Sequence, residues 1–491
     1  MLIRLENLQS GAAALVQLAA TAIIFCLTGC GGGSSTSQTI RRPPQVQPNL
    51  FGLHILFPAT PLPTIGFSGA RLWGIPTRWN QIERGPGTYD FSALDNFLAR
   101  MYAGGINDLV YTFGGVPQWA STSPNDPSCD GAAEIPGGCW LPDDINPDGS
   151  GTDQTWITFV TAIAQHANDP TYLQTHSHIG YWESWNEWYR NPVVSTHQWS
   201  SYSLHATYAQ MVRMTEDMRC IITGTGSVNG NPCSLTAIDA SAKVVSPSDG
   251  GLVCCGSPQV FQNFLYCNND PTQGGTLPNA NCNTGSRGSA AVDIINSHFY
   301  IPLGMPAEEL SSNAASYQAL LSASDLAKPL WSDEGSWGKN AALPDLDVEA
   351  SWVARYYLVG WSSGFAQMFW YTYDGADNGT LWTPSGLTPA GRAYGTVYKW
   401  IVGSKLGAPC SANGSVWTCN LTLGNGNPAE VIWDTSQSCS NGNCTTALQP
   451  VSSSWANYQD LTGTNNNIAA SGSAQVGLKP ILLTPSASAA P

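Results

Sequence analysis

Short apolar runs rich in β-branched and aromatic residues recur between residues 49 and 402 and predict β-strands. Between many of these runs, apolar residues recur three and four positions apart, which is the helical period. Strands that alternate with helices favour an α/β fold with a parallel sheet. The eight predicted strands are Phe51–Leu56, Ala70–Trp73, Leu109–Phe113, Ile179–Trp185, Lys243–Val245, Val292–Tyr300, Pro329–Ser332 and Phe365–Tyr371.

Eight parallel strands with interposed helices close most simply into a barrel. We therefore predict that residues 49–402 form a (β/α)8 TIM barrel. This segment exceeds the roughly 250 residues of a typical barrel. The additional length falls in cysteine-containing loops at 121–151 and 220–288.

After residue 403 the helical period disappears, and short β-type runs alternate with Gly, Asn and Ser turns. This pattern predicts a small all-β, sandwich-like domain over 403–491. No exposed aromatic cluster is evident in it, so bracing of the barrel is favoured over glycan binding. Its predicted strands are Ser415–Leu423, Glu430–Asp434, Ala456–Asp460 and Gln475–Leu483.

The N-terminus has the pattern of a targeting segment. Arg4 precedes an apolar stretch from Ala12 to Leu27 that is too short for a comfortable membrane span. It ends in Leu27-Thr28-Gly29-Cys30, which resembles the bacterial lipoprotein signal, in which this cysteine is lipidated. We predict a signal peptide over 1–29, a flexible tether over 30–48, and membrane attachment only through Cys30. The alternative is an ordinary secretory signal that contains a chance cysteine.

Composition narrows the functional class. The chain has 491 residues and a formal net charge of −15, which argues against nucleic-acid binding. Setting aside Cys26 and Cys30, the remaining cysteines are even in number and closely spaced, as in disulfide-stapled loops of exported proteins. The partners inside the 254–282 cluster stay open. A metal site is not indicated, since no Cys-x-x-Cys pair occurs and the histidines are scattered.

Two glutamates follow predicted strands. The fourth strand ends in Asn186-Glu187, and the seventh ends at Glu334. In a (β/α)8 barrel the C-terminal strand ends form the active-site face. Two carboxylates there, among tryptophans, are the groups that glycosidic bond cleavage requires. The alternative is that both are structural residues beside a buried partner.

These motifs resemble those of clan-A glycoside hydrolases, which carry Asn-Glu after strand four and Glu at strand seven. The chain is most similar to glycoside hydrolase family 39 and to related bacterial exopolysaccharide-cleaving enzymes. Family members often have Pro after Asn-Glu, whereas this chain has Trp188. The supporting stretches are Arg71–Trp73, Trp79–Glu83, Gly87–Asp95, Thr112–Ala120 and Gly477–Leu483.

The resemblance implies a retaining glycosidase that acts by double displacement and needs no cofactor. Glu187 would be the general acid/base with a raised pKa, and Glu334 the ionised nucleophile. Asn186 would bind the sugar 2-hydroxyl, and Tyr300 resembles the clan tyrosine that hydrogen-bonds the nucleophile. The substrate would be a polysaccharide or oligosaccharide of the exopolysaccharide or β-xyloside type.

Several neighbouring residues have open roles. Arg71 either pairs with a buried Glu183 or steadies Glu334, and His298 either lines the sugar pocket or is a core residue. Strand alternation predicts that Asp333 points away from the Glu334 side chain.

Trp119, Trp337 and Trp370 follow strands three, seven and eight, where their rings either stack on sugars or pack in the core. Two other functions remain open: a non-catalytic carbohydrate-binding lipoprotein, and a transglycosylase that uses the same residues. The sugar, endo or exo cleavage and the oligomeric state are not decided by the sequence.

Overall fold

The computed structural model describes residues 45–485 except for a set of short gaps and two longer ones. The gaps are 128, 130–135, 190–203, 252–257, 268–285, 303, 338–342, 344, 376–378 and 469–471. Cys30, the signal, most of the tether, and Cys254, Cys255 and Cys282 lie outside the described residues.

Eight parallel strands form one sheet that closes into a barrel, which confirms the predicted fold class. The sheet order is β6-β7-β8-β1-β2-β3-β4-β5, and a parallel bridge between Val245 and Ile294 joins its two edges. Each predicted run overlaps one of these strands. They are β1 Phe51–Leu53, β2 Gly69–Leu72, β3 Asp108–Thr112, β4 Tyr181–Glu183, β5 Lys243–Val245, β6 Ile295–Asn296, β7 Leu330–Gly335 and β8 Phe365–Trp370.

Helices follow seven of the eight strands, whereas the described loop from β1 to β2 has none. The long helices bury the apolar positions that the helical period predicts, such as Leu94, Leu98 and Met101 on α2. The helices are α1 Trp79–Ile82, α2 Ser92–Ala103, α3 Gln154–Ala167, α4 Tyr208–Thr223, α5 Pro258–Tyr266, α6 Gly288–Ala291, α7 Glu309–Gln318, α8 Leu346–Ser362 and α9 Pro389–Ile401.

Barrel interior and outer layer form separate apolar clusters. Val110, Val245, Trp331 and Phe369 fill the interior, while alternate residues on the same strands pack under the helices. The chain enters and leaves this barrel at the face formed by the N-terminal ends of the strands, which we call the closed end. There Val46 N donates to Ser404 O at 2.9 Å, and Gly403 N donates to Val46 O at 2.8 Å.

Antiparallel strands make up the described part of the chain after residue 404. Ile432 and Leu483 of a seven-stranded sheet share a core with Val476 of a two-stranded sheet, as in a sandwich. The predicted strand Gln475–Leu483 is in fact two strands, because Pro480 cannot donate to a ladder. The strands are Lys405–Leu406, Ser411–Asn413, Val416–Thr422, Pro428–Asp434, Cys439–Ser440, Asn443–Cys444, Thr446–Pro450, Asn457–Gln459, Asn465–Asn467, Ser473–Gly477 and Ile481–Thr484.

Buried polar contacts join these sheets to the barrel. Glu308 accepts hydrogen bonds from Arg355 Nη1 at 2.8 and 3.0 Å and from Trp433 Nε1 at 2.7 Å. The described residues accordingly belong to one compact unit, so the division at 402/403 stays a prediction.

Within the described residues, four disulfides fasten local loops, as the close spacing of the cysteines predicts. They join Cys129 to Cys139, Cys220 to Cys233, Cys410 to Cys419 and Cys439 to Cys444. Within the described residues, we found no helix with both the length and the apolar character that crossing a bilayer requires.

Candidate active site

Two glutamates face each other at the mouth of the barrel. Glu187 follows β4 and Glu334 lies in β7, and a carboxylate oxygen of each is within 4.8 Å of the other. The Glu187 side chain is 17% exposed and that of Glu334 is 9% exposed. Glu187 has a φ of 43°, which is strained for a residue with a side chain. Such strain is concentrated at functional sites.

Glu334 is held by two donors. Tyr300 OH donates to Oε1 at 2.6 Å, and Arg71 Nη1 donates to Oε2 at 2.8 Å. Burial raises the pKa of Glu334, while His298 and Arg71 act to lower it. The net direction is upward, which opposes the expected easy ionisation. The two donors are therefore what favours the carboxylate form here.

Glu187 contacts the imidazole of His298. The distance from Oε1 of Glu187 to Nδ1 of His298 is 2.8 Å. The backbone N–H of Glu187 donates to Ser248 Oγ at 3.2 Å, which fixes the strained backbone after β4. Burial alone would lower the pKa of His298, but Glu334, Asp333 and Glu187 raise it well above its usual value.

Arg71, which lies on β2 and is fully buried, links the carboxylates. Its Nη2 donates to Glu183 Oε2 at 2.6 Å and to Asn186 Oδ1 at 2.8 Å. Its Nε lies 2.8 Å from Asp333 Oδ2. Both roles left open for Arg71 therefore occur together, because the same guanidinium pairs with Glu183 and with Glu334.

Asp333 points into the barrel, so the prediction that it faces away from Glu334 is wrong. Trp331 lies in the interior, and simple alternation would place Asp333 inside and Glu334 outside. The β7–β8 register shifts between Ser332 and Gly335, and this bulge turns both carboxylates inward.

Glu183 and Asp333 flank Arg71, and their pKa values are shifted in opposite directions. Burial raises the pKa of Glu183 to about 8, although Arg71 opposes the rise. Burial would also raise the pKa of Asp333, but Arg71 and His298 hold it well below its usual range. Asp333 is therefore the more readily ionised of the two carboxyl groups.

Solved structures of similar fold come from glycoside hydrolases. A family 39 glycoside hydrolase from Bacteroides cellulosilyticus WH2 aligns with a TM-score of 0.55 and 15% identity, over 89% of this chain and 81% of that one. A monomeric β-xylosidase from Caulobacter crescentus CB15 aligns at 0.53 and 13%, over 91% and 98%. A bifunctional glucanase-xylanase from a metagenome library aligns at 0.51 and 15%, over 90% and 97%.

The chain shares the barrel fold of these glycoside hydrolases. At these low identities the likeness concerns the fold alone. No protein-family model matches the sequence, and no curated protein matches it.

Asn186 immediately precedes Glu187 and shares the Arg71 guanidinium with Glu334. Its backbone N–H donates to Phe113 O at 3.1 Å, and Arg71 binds its Oδ1. Its Nδ2 is buried and has no hydrogen-bond partner among the described residues. An amide donor in this position is available to a sugar hydroxyl.

The three candidate tryptophans differ in exposure. Trp119 is 38% exposed at the rim, and its Nε1 donates to Glu83 O at 3.2 Å. Trp337 and Trp370 are 2% and 0% exposed and pack on each other and on Trp352 of α8. Of the two alternatives that the sequence leaves open for Trp337 and Trp370, the structure shows both rings packed in the core. Trp370 lies on the helix-facing side of β8, where Phe369 takes the interior position.

Sequence reasoning missed Tyr371, which is half-buried next to β8. Its ring lies edge-on to His54 at 4.8 Å and to Tyr300 at 6.4 Å. The rule that marked the glutamates, position at a strand C-terminus, also applies to Tyr371.

Two triplets have ligand-type atoms within 4.8 Å of one another: Glu183, His298 and Asp333, and Glu187, His298 and Glu334. Arg71 already supplies a cation to Glu183, Asp333 and Glu334. The donors around these carboxylates suit anionic oxygen rather than a bound cation. We therefore treat both triplets as hydrogen-bonded acid–imidazole groups, and the absence of a metal stays a prediction.

Proposed function

We propose that this protein is a retaining glycoside hydrolase that cleaves β-glycosidic bonds by double displacement. The observation that carries the proposal is that one carboxylate oxygen of Glu187 lies within 4.8 Å of one carboxylate oxygen of Glu334. Retaining enzymes hold their two carboxyl groups roughly 5–5.5 Å apart, whereas inverting enzymes leave room for a water, at roughly 6.5–9.5 Å. The side chains bonded to each glutamate support different roles for the two.

Glu187 acts as general acid/base. It gives a proton to the glycosidic oxygen as the bond to the anomeric carbon breaks, and it later removes a proton from water. Its greater exposure admits the leaving group and the water. Glu334 attacks the anomeric carbon, and Arg71 and Tyr300 hold it in position. Asn186 Nδ2 is the donor for the sugar 2-hydroxyl.

The substrate is a polysaccharide or oligosaccharide of the exopolysaccharide or β-xyloside type. The family 39 likeness of the motifs supports this class, and so do structural neighbours described as a β-xylosidase and a glucanase-xylanase. Trp119 at the rim offers an aromatic face beyond the reacting sugar.

Replacing Glu187 with Ala should lower kcat by about 10²–10⁴-fold on unactivated glycans, because the proton donor and base are lost. Dinitrophenyl glycosides need no acid, so the variant should form the glycosyl-enzyme and then stall. Azide, which needs no base, should restore turnover and yield a glycosyl azide of retained β-configuration. Phenolate release and NMR of the product check both points.

Glu309→Ala, on α7 outside the cleft, is the matched control and should respond to azide no more than the wild type does. An α-configured azide would contradict a retaining mechanism. Glycan binding with no cleavage by the wild type would favour the carbohydrate-binding alternative. Products longer than the substrate would favour the transglycosylase.

We further infer that the protein is exported and held to the membrane by a lipid on Cys30. The lipoprotein-like segment ending in Cys30 supports this inference. Four disulfides in the described residues are consistent with an oxidising compartment.

Replacing Cys30 with Ser should move the protein from the membrane fraction to the soluble extracytoplasmic fraction, because the acylated residue is lost. Incorporation of labelled palmitate should disappear at the same time. Ser34→Ala in the tether is the matched control and should keep both properties. Unchanged fractionation of the Cys30 variant would contradict the lipid anchor.

A further inference from the structure

Asp333, His298 and Glu187 lie in a row, with His298 between the two carboxyl groups. Asp333 Oδ1 lies 3.3 Å from His298 Nε2, and His298 Nδ1 lies 2.8 Å from Glu187 Oε1. Asp333 and the His298 side chain are fully buried. This 3.3 Å contact does not have hydrogen-bond geometry, and neither Asp333 Oδ1 nor His298 Nε2 has a hydrogen-bond partner among the described residues. A small rotation of either side chain would turn the contact into a hydrogen bond.

We propose that Asp333 is a positioning residue that acts through His298 to keep the catalytic proton on the His298–Glu187 pair. This inference rests on the proposed function of Glu187 and adds a group that does not touch substrate. The β7 bulge makes it possible, since it leaves Asp333 inside while also turning Glu334 to the sugar.

The contacts of His298 with Asp333 and Glu187 determine which nitrogen of its imidazole ring carries a hydrogen. With Asp333 ionised, Nε2–H donates to Oδ1, and Nδ1 faces Glu187. One proton then lies between Nδ1 and Oε1, on either atom. With the opposite tautomer, the only ring proton would lie on Nδ1 and would be donated to an ionised Glu187. Releasing that proton to the leaving group would leave an imidazolate, so the leaving group would find no acid.

The proton count closes over the cycle. In the first step the shared proton passes to the glycosidic oxygen. That oxygen leaves the anomeric carbon, and Glu334 forms a bond to the same carbon. In the second step water bonds to the anomeric carbon, the bond to Glu334 breaks, and the water proton returns to Oε1. Asp333 keeps its charge throughout and never takes the proton.

Other charged or titratable groups also surround His298. The negative ones outnumber Arg71, so the imidazole lies in a field that favours its protonation. The 3.3 Å contact to Asp333 is long, and contacts of this kind in ligand-free enzymes shorten when substrate binds. The facing groups are His54 beyond β1, Arg71 on β2, Glu183 on β4, Glu187 after β4, Asp249 after β5, Tyr300 after β6, and Asp333 and Glu334 on β7.

The test is Asp333→Asn, which keeps shape but removes the charge. Loss of a neighbouring anion lowers the proton affinity of the pair, so the alkaline limb of kcat/KM should move to lower pH. On unactivated substrates, each pH unit by which the alkaline limb moves should lower kcat/KM about tenfold at pH values above the limb. Dinitrophenyl glycosides should change by less than about threefold at the same pH, because they need no acid. A fall of equal size for both substrates would overturn the proposal.

A double-mutant cycle with His298→Asn separates action through His298 from a general structural effect. In the His298→Asn background, Asp333→Asn should no longer move the alkaline limb. A movement as large as in the wild-type background would overturn the proposal.

A titration that needs no activity keeps the inference distinct from the proposed function. Imidazole NMR signals of His298, assigned with the His298→Asn variant, should titrate at lower pH in Asp333→Asn than in the wild type. An unchanged His298 titration would overturn the Asp333 role even in an active enzyme. Failure of the wild type to cleave any glycan would instead remove the proposed function.

Discussion

Replacing Glu334 with Gln should lower kcat by more than about 10⁴-fold, the scale on which losing a covalent nucleophile acts. Gln keeps the size of Glu and its contact with Tyr300, but the amide cannot form the glycosyl-enzyme bond. Reducing-end release from xylan, β-glucans and bacterial exopolysaccharides is the measurement. The sizes of the wild-type products also separate endo from exo cleavage.

Glu334→Asp is the matched control, because it keeps the charge but withdraws the carboxylate by one methylene. It should retain more activity than Glu334→Gln. A fluorinated glycoside that slows hydrolysis of the intermediate should label the peptide that contains Glu334 in the wild type only. Equal activity of wild type and Glu334→Gln, or a label on another carboxylate, would remove Glu334 from the nucleophile role.

Replacing Arg71 with Met should destabilise the protein by about 3–5 kcal/mol at neutral pH, as expected when one partner of a buried ion pair is removed. Glu183, Asp333 and Glu334 would then lack their shared cation. Their folded-state pKa values should rise above the unfolded values. Such a group loses its stabilising contribution as pH rises, so the deficit should grow from pH 5 to pH 8. Urea unfolding at several pH values measures it.

Arg78→Met is the matched control. Arg78 lies over the Trp73 ring at 5.1 Å, and the loss of a cation–π contact of this kind costs about 0.5–1 kcal/mol. The deficit of this control should show little dependence on pH. If Arg71→Met were as stable as the wild type at pH 8, the central role of Arg71 would be contradicted.

The sequence was sufficient for the barrel because each strand carries its own apolar run. For example, Phe51–Leu53 is buried throughout its strand, and Val244 and Val245 are buried on another parallel strand. Strand order and the position of both glutamates then follow from barrel topology. Local patterns are informative here because the barrel repeats one local unit.

Side-chain direction at the site could not be predicted from alternation. A bulge moves Glu334 to the same side as Asp333, and nothing in the local sequence of β7 marks it. Trp370 illustrates a different limit of sequence-based prediction. It follows Phe369 and lies under α8, and this burial becomes evident only from its packing with Trp352 and Trp337. Arg71 was recognised as a cation, but its simultaneous bonds to several carboxylates depend on three-dimensional convergence.

The paired backbone hydrogen bonds between Val46 and residues 403–404 have a consequence for orientation. They place the start of the described chain at the closed end of the barrel, opposite Glu187 and Glu334. Residues 31–44 span at most about 50 Å when fully extended. If the chain is anchored at Cys30, its tether would join the barrel at the face opposite the catalytic opening. The point of attachment would then not obstruct the approach of glycans to Glu187 and Glu334.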